Sequence, residues 1–155
     1  EEDTLATLEE VRGSCITQGI QSYYKKDWAG AIEQLETCDE VDEALLWLGL
    51  SQQKLGQDER ARELLRQHVE VIPRNRTRPS LNAAIREIAA SYDHVHLVDL
   101  ERAAGEASPD GIPGRNLFLD YCHMHWKGYA AMAAEVLDVL NTSGVGPKSS
   151  PRKDQ

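Results

Sequence analysis

A repeated pattern of small residues constrains this chain more than any other feature. Aligning Gly19-Ile20-Gln21 with Gly49-Leu50-Ser51 brings Ala31 onto Ala61 at the same offset. The first copy reads GIQSYYKKDWAGAIEQLETC and the second LGLSQQKLGQDERARELLRQHVEVIP. Each holds a small residue midway along one predicted helix, then a polar turn, then an alanine early in the next helix. Small residues at those places let two antiparallel helices approach closely, and the apolar positions around them bury the seam. The turns fall at Lys26-Asp27 and Gly56-Gln57-Asp58, where Gly and Asp supply the non-helical conformations a break requires.

This pattern resembles the tetratricopeptide repeat. Leu48-Gly49, Gly56, Ala61 and Pro73 match consensus positions of the second copy, and Gly19, Asp27, Trp28 and Ala31 match the first. The first copy is shortened at its end, where Cys38 takes a small-residue position. The resemblance covers about residues 12–74, with Glu2–Val11 extending the leading helix. It implies a protein or peptide partner held in a concave groove. Two copies are fewer than the three usually needed for independent stability, so the repeats are expected to lean on something else.

Composition narrows the functional classes. The 155 residues suffice for one ordinary domain or two small modules, and 41% hydrophobic with 28% charged content predicts a packed core. Lys and Arg number 17 against 26 Asp and Glu, a net charge of -9. That balance disfavours nucleic acid and anionic membrane surfaces, whose phosphates need a basic partner. No apolar run approaches the length of a bilayer span, and the acidic start EEDTLATLEE does not read as a secretory signal. The three cysteines, Cys15, Cys38 and Cys122, are widely spaced and form no CxxC pair, which predicts neither a disulfide framework nor a zinc knuckle. The expectation is a soluble chain, with a lean toward the cytoplasm.

The second half has a different grammar. The stretch from Pro73 to Pro79 interrupts the helical pattern twice and reads as a connector. Ser80 is placed to cap a helix whose buried stripe is Leu81, Ile85, Ile88, Ala89 and Tyr92. The run His94-Val95-His96-Leu97-Val98-Asp99-Leu100 suits a buried strand of a parallel sheet. Residues 105–115 are loop by composition, and a final helix carries Tyr129, Met132, Ala133, Val136, Leu137 and Leu140 on one face. The expected fold class is therefore mainly α with a partial α/β segment: helical hairpins over 1–74, an α/β part over 75–141, and a disordered tail over 142–155. A lone parallel strand lacks the neighbours it needs, so the second half looks like the end of a larger α/β domain.

Asp120 and His123 stand three residues apart, just before that last helix. A carboxylate can hold an imidazole's Nδ1–H, fix its tautomer and stabilise the imidazolium, leaving Nε2 to deprotonate a serine or a water. Together with Leu117-Phe118-Leu119 upstream and Gly128-Tyr129 downstream, the arrangement resembles the C-terminal end of SGNH (GDSL-like) hydrolases over about residues 76–140. The resemblance implies that Asp120 is the triad acid and His123 the base, that no cofactor is needed, and that the complete enzyme acts on small acyl esters or carbohydrate esters. Met124 follows the histidine where a proline is common, and His125 is a nearby second imidazole. The family's Gly-Asp-Ser nucleophile and its Gly-x-Asn-Asp block have no counterpart. Ser14 follows Gly13, but inside a helical repeat, and Asn75, Asn82, Asn116 and Asn141 lie elsewhere in pattern. Without a nucleophile and oxyanion donors an Asp–His pair carries no acyl transfer, so the chain alone is expected to be inactive or nearly so.

Competing readings stand beside these. The alternative for Asp120 and His123 is a loop pair capping the last helix, and an acyltransferase would use the same triad. Cys122, His123 and His125, with His94 or His96, form a possible metal set, although adjacent ligands converge badly on one tetrahedral ion. Asp99 suits either a crevice at a strand's carboxyl end or a plain cap. Tyr23, Tyr24, Trp28 and Trp47 read as inter-helix packing or as a peptide-binding set. DERARELLRQHVE is a solvated face, and His68 sits where a repeat usually holds a small residue.

Overall fold

The structure, a computed structural model, describes residues 15–39, 41–72, 77–120 and 122–145. Seven helices are present among them: α1 (Cys15–Tyr24), α2 (Trp28–Glu36), α3 (Val41–Lys54), α4 (Asp58–Val71), α5 (Pro79–Ala90), α6 (Leu100–Glu106) and α7 (Trp126–Thr142). The chain divides into two compact units, Glu1–Ala83 and Ala84–Gln155. The proposed extension at Glu2–Val11, Ser14, most of the connector after Pro73, and the tail beyond Val145 lie outside the described residues.

In the first unit each helix from α1 to α4 packs on the next, and α1 also touches α3. The small residues explain the closeness. A Cβ built on Gly19 would collide with the Leu35 side chain, and one on Gly49 would lie 2.7 Å from Leu65 Cγ and 3.3 Å from the Ala61 carbonyl oxygen. Gly19 faces Leu35 as Gly49 faces Leu65, so both hairpins use the same device at the same offset. Both turns also match. Lys26 (φ 65°) and Gly56 (φ 73°) each enter the left-handed region, and the next N–H, from Asp27 or Gln57, reaches back to the carbonyl of Ser22 or Gln52 at 3.0 Å. Asp27 then caps α2 by accepting from Gly30 N–H at 3.0 Å. Ala31, Leu35, Cys38, Ala44, Leu45, Leu48 and Leu64 form the core. Ser51 is fully buried with its hydroxyl unpartnered, as is Nδ1 of His68. Tyr23 and Tyr24 meet Trp47 edge-on at 5.4 and 5.8 Å, the packing role expected of these aromatics.

Cys15 and Cys38 correct the reading of the cysteines. They form a disulfide, with Cα atoms 5.6 Å apart, joining the start of α1 to the residue chain just after α2. Spacing in sequence hid this, because the hairpin brings residues 23 apart into contact. Such a bond persists in oxidising surroundings.

The second unit departs further from expectation. Its buried residues include Ala103, Ser108, Leu117 and Gly128. No strand forms among the described residues. The segment 95–99 is in neither helix nor strand, and the one β-bridge among the described residues pairs Phe118 with Met124. A strand requires a partner, and the residues suited to one have none here. The predicted stripe is uncovered for the same reason: Leu81, Ile85, Ile88 and Tyr92 are exposed, as are Tyr129, Val136 and Leu137 on α7. Ser80 is not the cap of α5, which begins at Pro79; its N–H and hydroxyl donate to Glu70 at 2.8 and 2.6 Å. Helix α6 begins at Leu100, read as the end of the strand, and runs to Glu106, inside the stretch read as loop from 105. Asp99 caps it by accepting from Arg102 N–H at 3.0 Å, while Arg86 of α5 grips the same carboxylate at 2.6 and 2.9 Å and reaches Glu101 at 2.8 Å. Arg102 bridges α6 to α7 through Glu135 at 2.6 Å.

Two outcomes test this account. Exchanging Cys15 and Cys38 for serine, or reducing the bond, should lower the stability of the first unit by about 3 kcal/mol, given the loop it closes. Urea titrations with and without reductant read this. The Arg86 guanidinium beside Asp99 holds its carboxyl at about 2 against an ordinary 3.8. Because the folded value is the lower, the stabilisation is complete above about pH 4 and fades as pH falls through about 2. The shift corresponds to ~2 kcal/mol, reduced to about 1 by solvent screening at the part-exposed arginine. Asp99→Asn should remove that acid-side slope from thermal melts; an unchanged slope would show that the pair does not couple to folding.

Candidate functional site

The Asp120–His123 loop is built on a short, buried footing. Leu117 is 3% exposed, and its N–H and that of Phe118 both donate to the Gly114 carbonyl at 3.0 and 2.9 Å. Asn116 secures the approach. Its Oδ1 accepts from Gly114 N–H at 2.8 Å, and its Nδ2 donates to the buried Ser108 hydroxyl at 2.8 Å, which itself donates to the Ala104 carbonyl of α6. Two antiparallel hydrogen bonds then fold the chain back: His125 N–H to Leu117 O at 3.1 Å, and Leu119 N–H to His123 O at 2.7 Å. Asp120 and Cys122 lie at the tip of this hairpin.

Asp120 organises the tip. Oδ1 accepts from the N–H groups of Cys122 and His123 at 2.9 and 2.8 Å, and Oδ2 lies 2.7 Å from His123 Nδ1. The two backbone donors, and then the imidazole, hold the Asp120 carboxyl well below the usual carboxylate range. An ionised carboxylate can only accept, so Nδ1 carries the proton of this contact. No described residue takes Nε2, and the His123 side chain is 70% exposed. The structure thus brings together the two residues singled out in the sequence.

His125 has a separate task. Its Nδ1 accepts from Lys127 N–H at 3.1 Å, making it the N-cap of α7. Cys122 is a free, exposed thiol with Sγ 3.5 Å from His123 Nδ1. The ligand atoms of Asp120, Cys122 and His123 lie within 4.8 Å of one another, whereas His125 is not among them. A metal held there through His123 Nδ1 would displace the 2.7 Å Asp120–His123 bond. Asp99, the other candidate acid, is spent on Arg86 and the α6 cap. Among the described residues no serine hydroxyl bonds to His123.

A residue that pattern reading treated as a landmark sets the loop's position. A Cβ on Gly128 would lie 2.7 Å from the Leu117 carbonyl oxygen and 3.0 Å from Met124 Cβ. The first turn of α7 therefore fits under the hairpin only with hydrogen at that place.

Comparison with known proteins identifies one segment: residues 43–70 match the Tetratricopeptide repeat family. That segment is α3, the left-handed turn and nearly all of α4. Searches of curated proteins and of solved structures return no match. Residues 43–70 are thus a tetratricopeptide-like hairpin by both sequence and geometry.

Gly128→Ala should push the hairpin off α7 and loosen the Asp120–His123 contact while leaving α1–α4 intact. The downfield Nδ1 proton of His123 in NMR spectra should weaken or vanish, with far-UV circular dichroism nearly unchanged. Retention of that resonance would show that the loop tolerates the methyl group.

Proposed function

We propose that the first unit is a tetratricopeptide-type protein-interaction module. The observation that carries this reading is the family match at 43–70, on a hairpin whose small-residue contacts are duplicated in α1 and α2. Stacked helical hairpins present an extended surface to peptides or proteins without chemistry of their own. Tyr24 is a natural anchor there, 71% exposed and braced edge-on by Tyr23 and Trp47. The test is affinity capture with the full chain, followed by binding of the purified partner. Tyr24→Ala should weaken binding about tenfold or more. Capture no better than blank resin, or binding that survives unfolding of the repeats, would sink the reading.

A second reading is favoured by the 2.7 Å contact between Asp120 and His123. On it, the loop supplies the base and acid of an SGNH-type ester hydrolase, and a serine from another polypeptide segment supplies the nucleophile. That serine's oxygen would attack the ester carbonyl as His123 Nε2 takes its proton. The imidazolium, held by Asp120, would return the proton to the departing alkoxide, and water would then release the acyl group. Acyl transfer to an alcohol would use the same groups. The native polypeptide is assayed on p-nitrophenyl acetate, with His123→Ala and Asp120→Asn beside it. A loss of about a thousandfold or more in kcat at unchanged folding supports the reading. Equal rates, or none in the native protein, exclude it.

A further inference from the structure

We propose that α7 pairs with α7 of a second copy, antiparallel about a two-fold axis at Ala133, so that the chain forms a symmetric dimer through its second unit. One face of α7 is already used. Gly128 is buried beneath the hairpin that carries Asp120 and His123, and Glu135 is bound to Arg102 of α6 at 2.6 Å with its side chain almost buried. Among the described residues α6 is the one helix that packs on α7.

The opposite face has no cover. At about 100° per residue, Trp126, Ala130, Ala133, Leu137 and Leu140 fall on one line along the helix, spaced by four, three, four and three residues. Tyr129 and Val136 flank that line on one border. Trp126, Tyr129 and Leu137 are 72%, 60% and 58% exposed, and Ala130, Ala133 and Val136 are exposed with them. This alternation of fours and threes is the seam of paired helices, and an apolar stripe running the length of a helix marks an interaction face.

The stripe is its own complement, which is what commits it to a second copy. With the axis at Ala133, Trp126 comes opposite Leu140, Tyr129 opposite Leu137, and Ala130 opposite Val136. Alanine meets alanine at the centre, where two backbones can approach closely, and the large side chains meet toward the ends. Charge sets the direction. Lys127 and Asp138 stand on the same border of the stripe, and neither forms an ion pair among the described residues. In the antiparallel pair each Lys127 falls within one residue of the level of Asp138 on the other copy, so two attractive pairs flank the seam. A parallel pair would put these charges on opposite sides of the seam, apart. Glu135, the other acid of α7, is held on the far face by Arg102, so no acid of this helix opposes its own copy. The dimer needs neither a partner at the repeats nor chemistry at His123.

Sedimentation equilibrium of the full chain tests this. The chain should sediment as a dimer. Ala133→Glu, at an exposed position, sets two carboxylates face to face on the axis and should leave a monomer with unchanged circular dichroism. Lys127→Glu and Asp138→Lys should each weaken the dimer about tenfold, and the two exchanges together should restore it. In a Cys122→Ser background, Ala133→Cys should give a disulfide-linked dimer on mild oxidation, because each Ala133 faces its own counterpart. A chain that stays monomeric up to about 1 mM overturns the proposal. So does a dimer that Ala133→Glu leaves intact, one that the double charge exchange fails to restore, or the absence of the Ala133→Cys cross-link.

Discussion

The close approach of paired helices, with glycine on one and leucine on the other, governs the first unit. Gly19 receives Leu35 and Gly49 receives Leu65, and any side chain on either glycine would force the hairpin open. Much else follows from that spacing. Ala31 and Ala61 are wholly buried because the backbones are so near. Cys38 is carried to Cys15, and the aromatic cluster closes over the α1–α3 contact. Two different residues, Lys26 and Gly56, adopt the same left-handed turn conformation, because the hairpin geometry demands it of whichever residue stands there.

In the second unit, ion pairs do part of what a large apolar core would do. Arg86 ties α5 to the start of α6, and Arg102 ties α6 to α7, with Glu135 almost buried beneath it. The small buried set of Ala103, Ser108, Leu117 and Gly128 supports the loop that carries Asp120 and His123. That loop is ordered chiefly by one carboxylate, which accepts two backbone N–H groups and an imidazole. The imidazole is thereby turned with Nδ1 toward the carboxylate.

Legibility in the sequence followed the range of the interaction. Repeat spacing, small residues and turn chemistry are local, so the helices of the first unit and their pairing were readable. Asp120 and His123 were singled out as a pair because they stand three residues apart just before a helix, and the contact between them is local. Less accessible were contacts closed through space. Nothing in the spacing of Cys15 and Cys38 announces a bond, and Arg86 shows no link to Asp99 until α5 and α6 are in place. Helix α6 went unnoticed although Asp99 three positions before Arg102 is an ordinary capping arrangement. The strand reading failed differently: the residue types of 94–100 favour one, but a strand exists only when another segment answers its hydrogen bonds.

By itself, the sequence determined where helices start and stop in the repeats, which faces pack, and which carboxylate meets which imidazole. These depend on neighbours a few residues away, where the chain has little freedom. Tertiary structure alone decided the disulfide, the duty of Asp99, the capping role of His125 and the exposure of the α5 and α7 stripes. Each depends on what stands opposite a residue in space, and an apolar or extended segment acquires its state only from the partner that covers it.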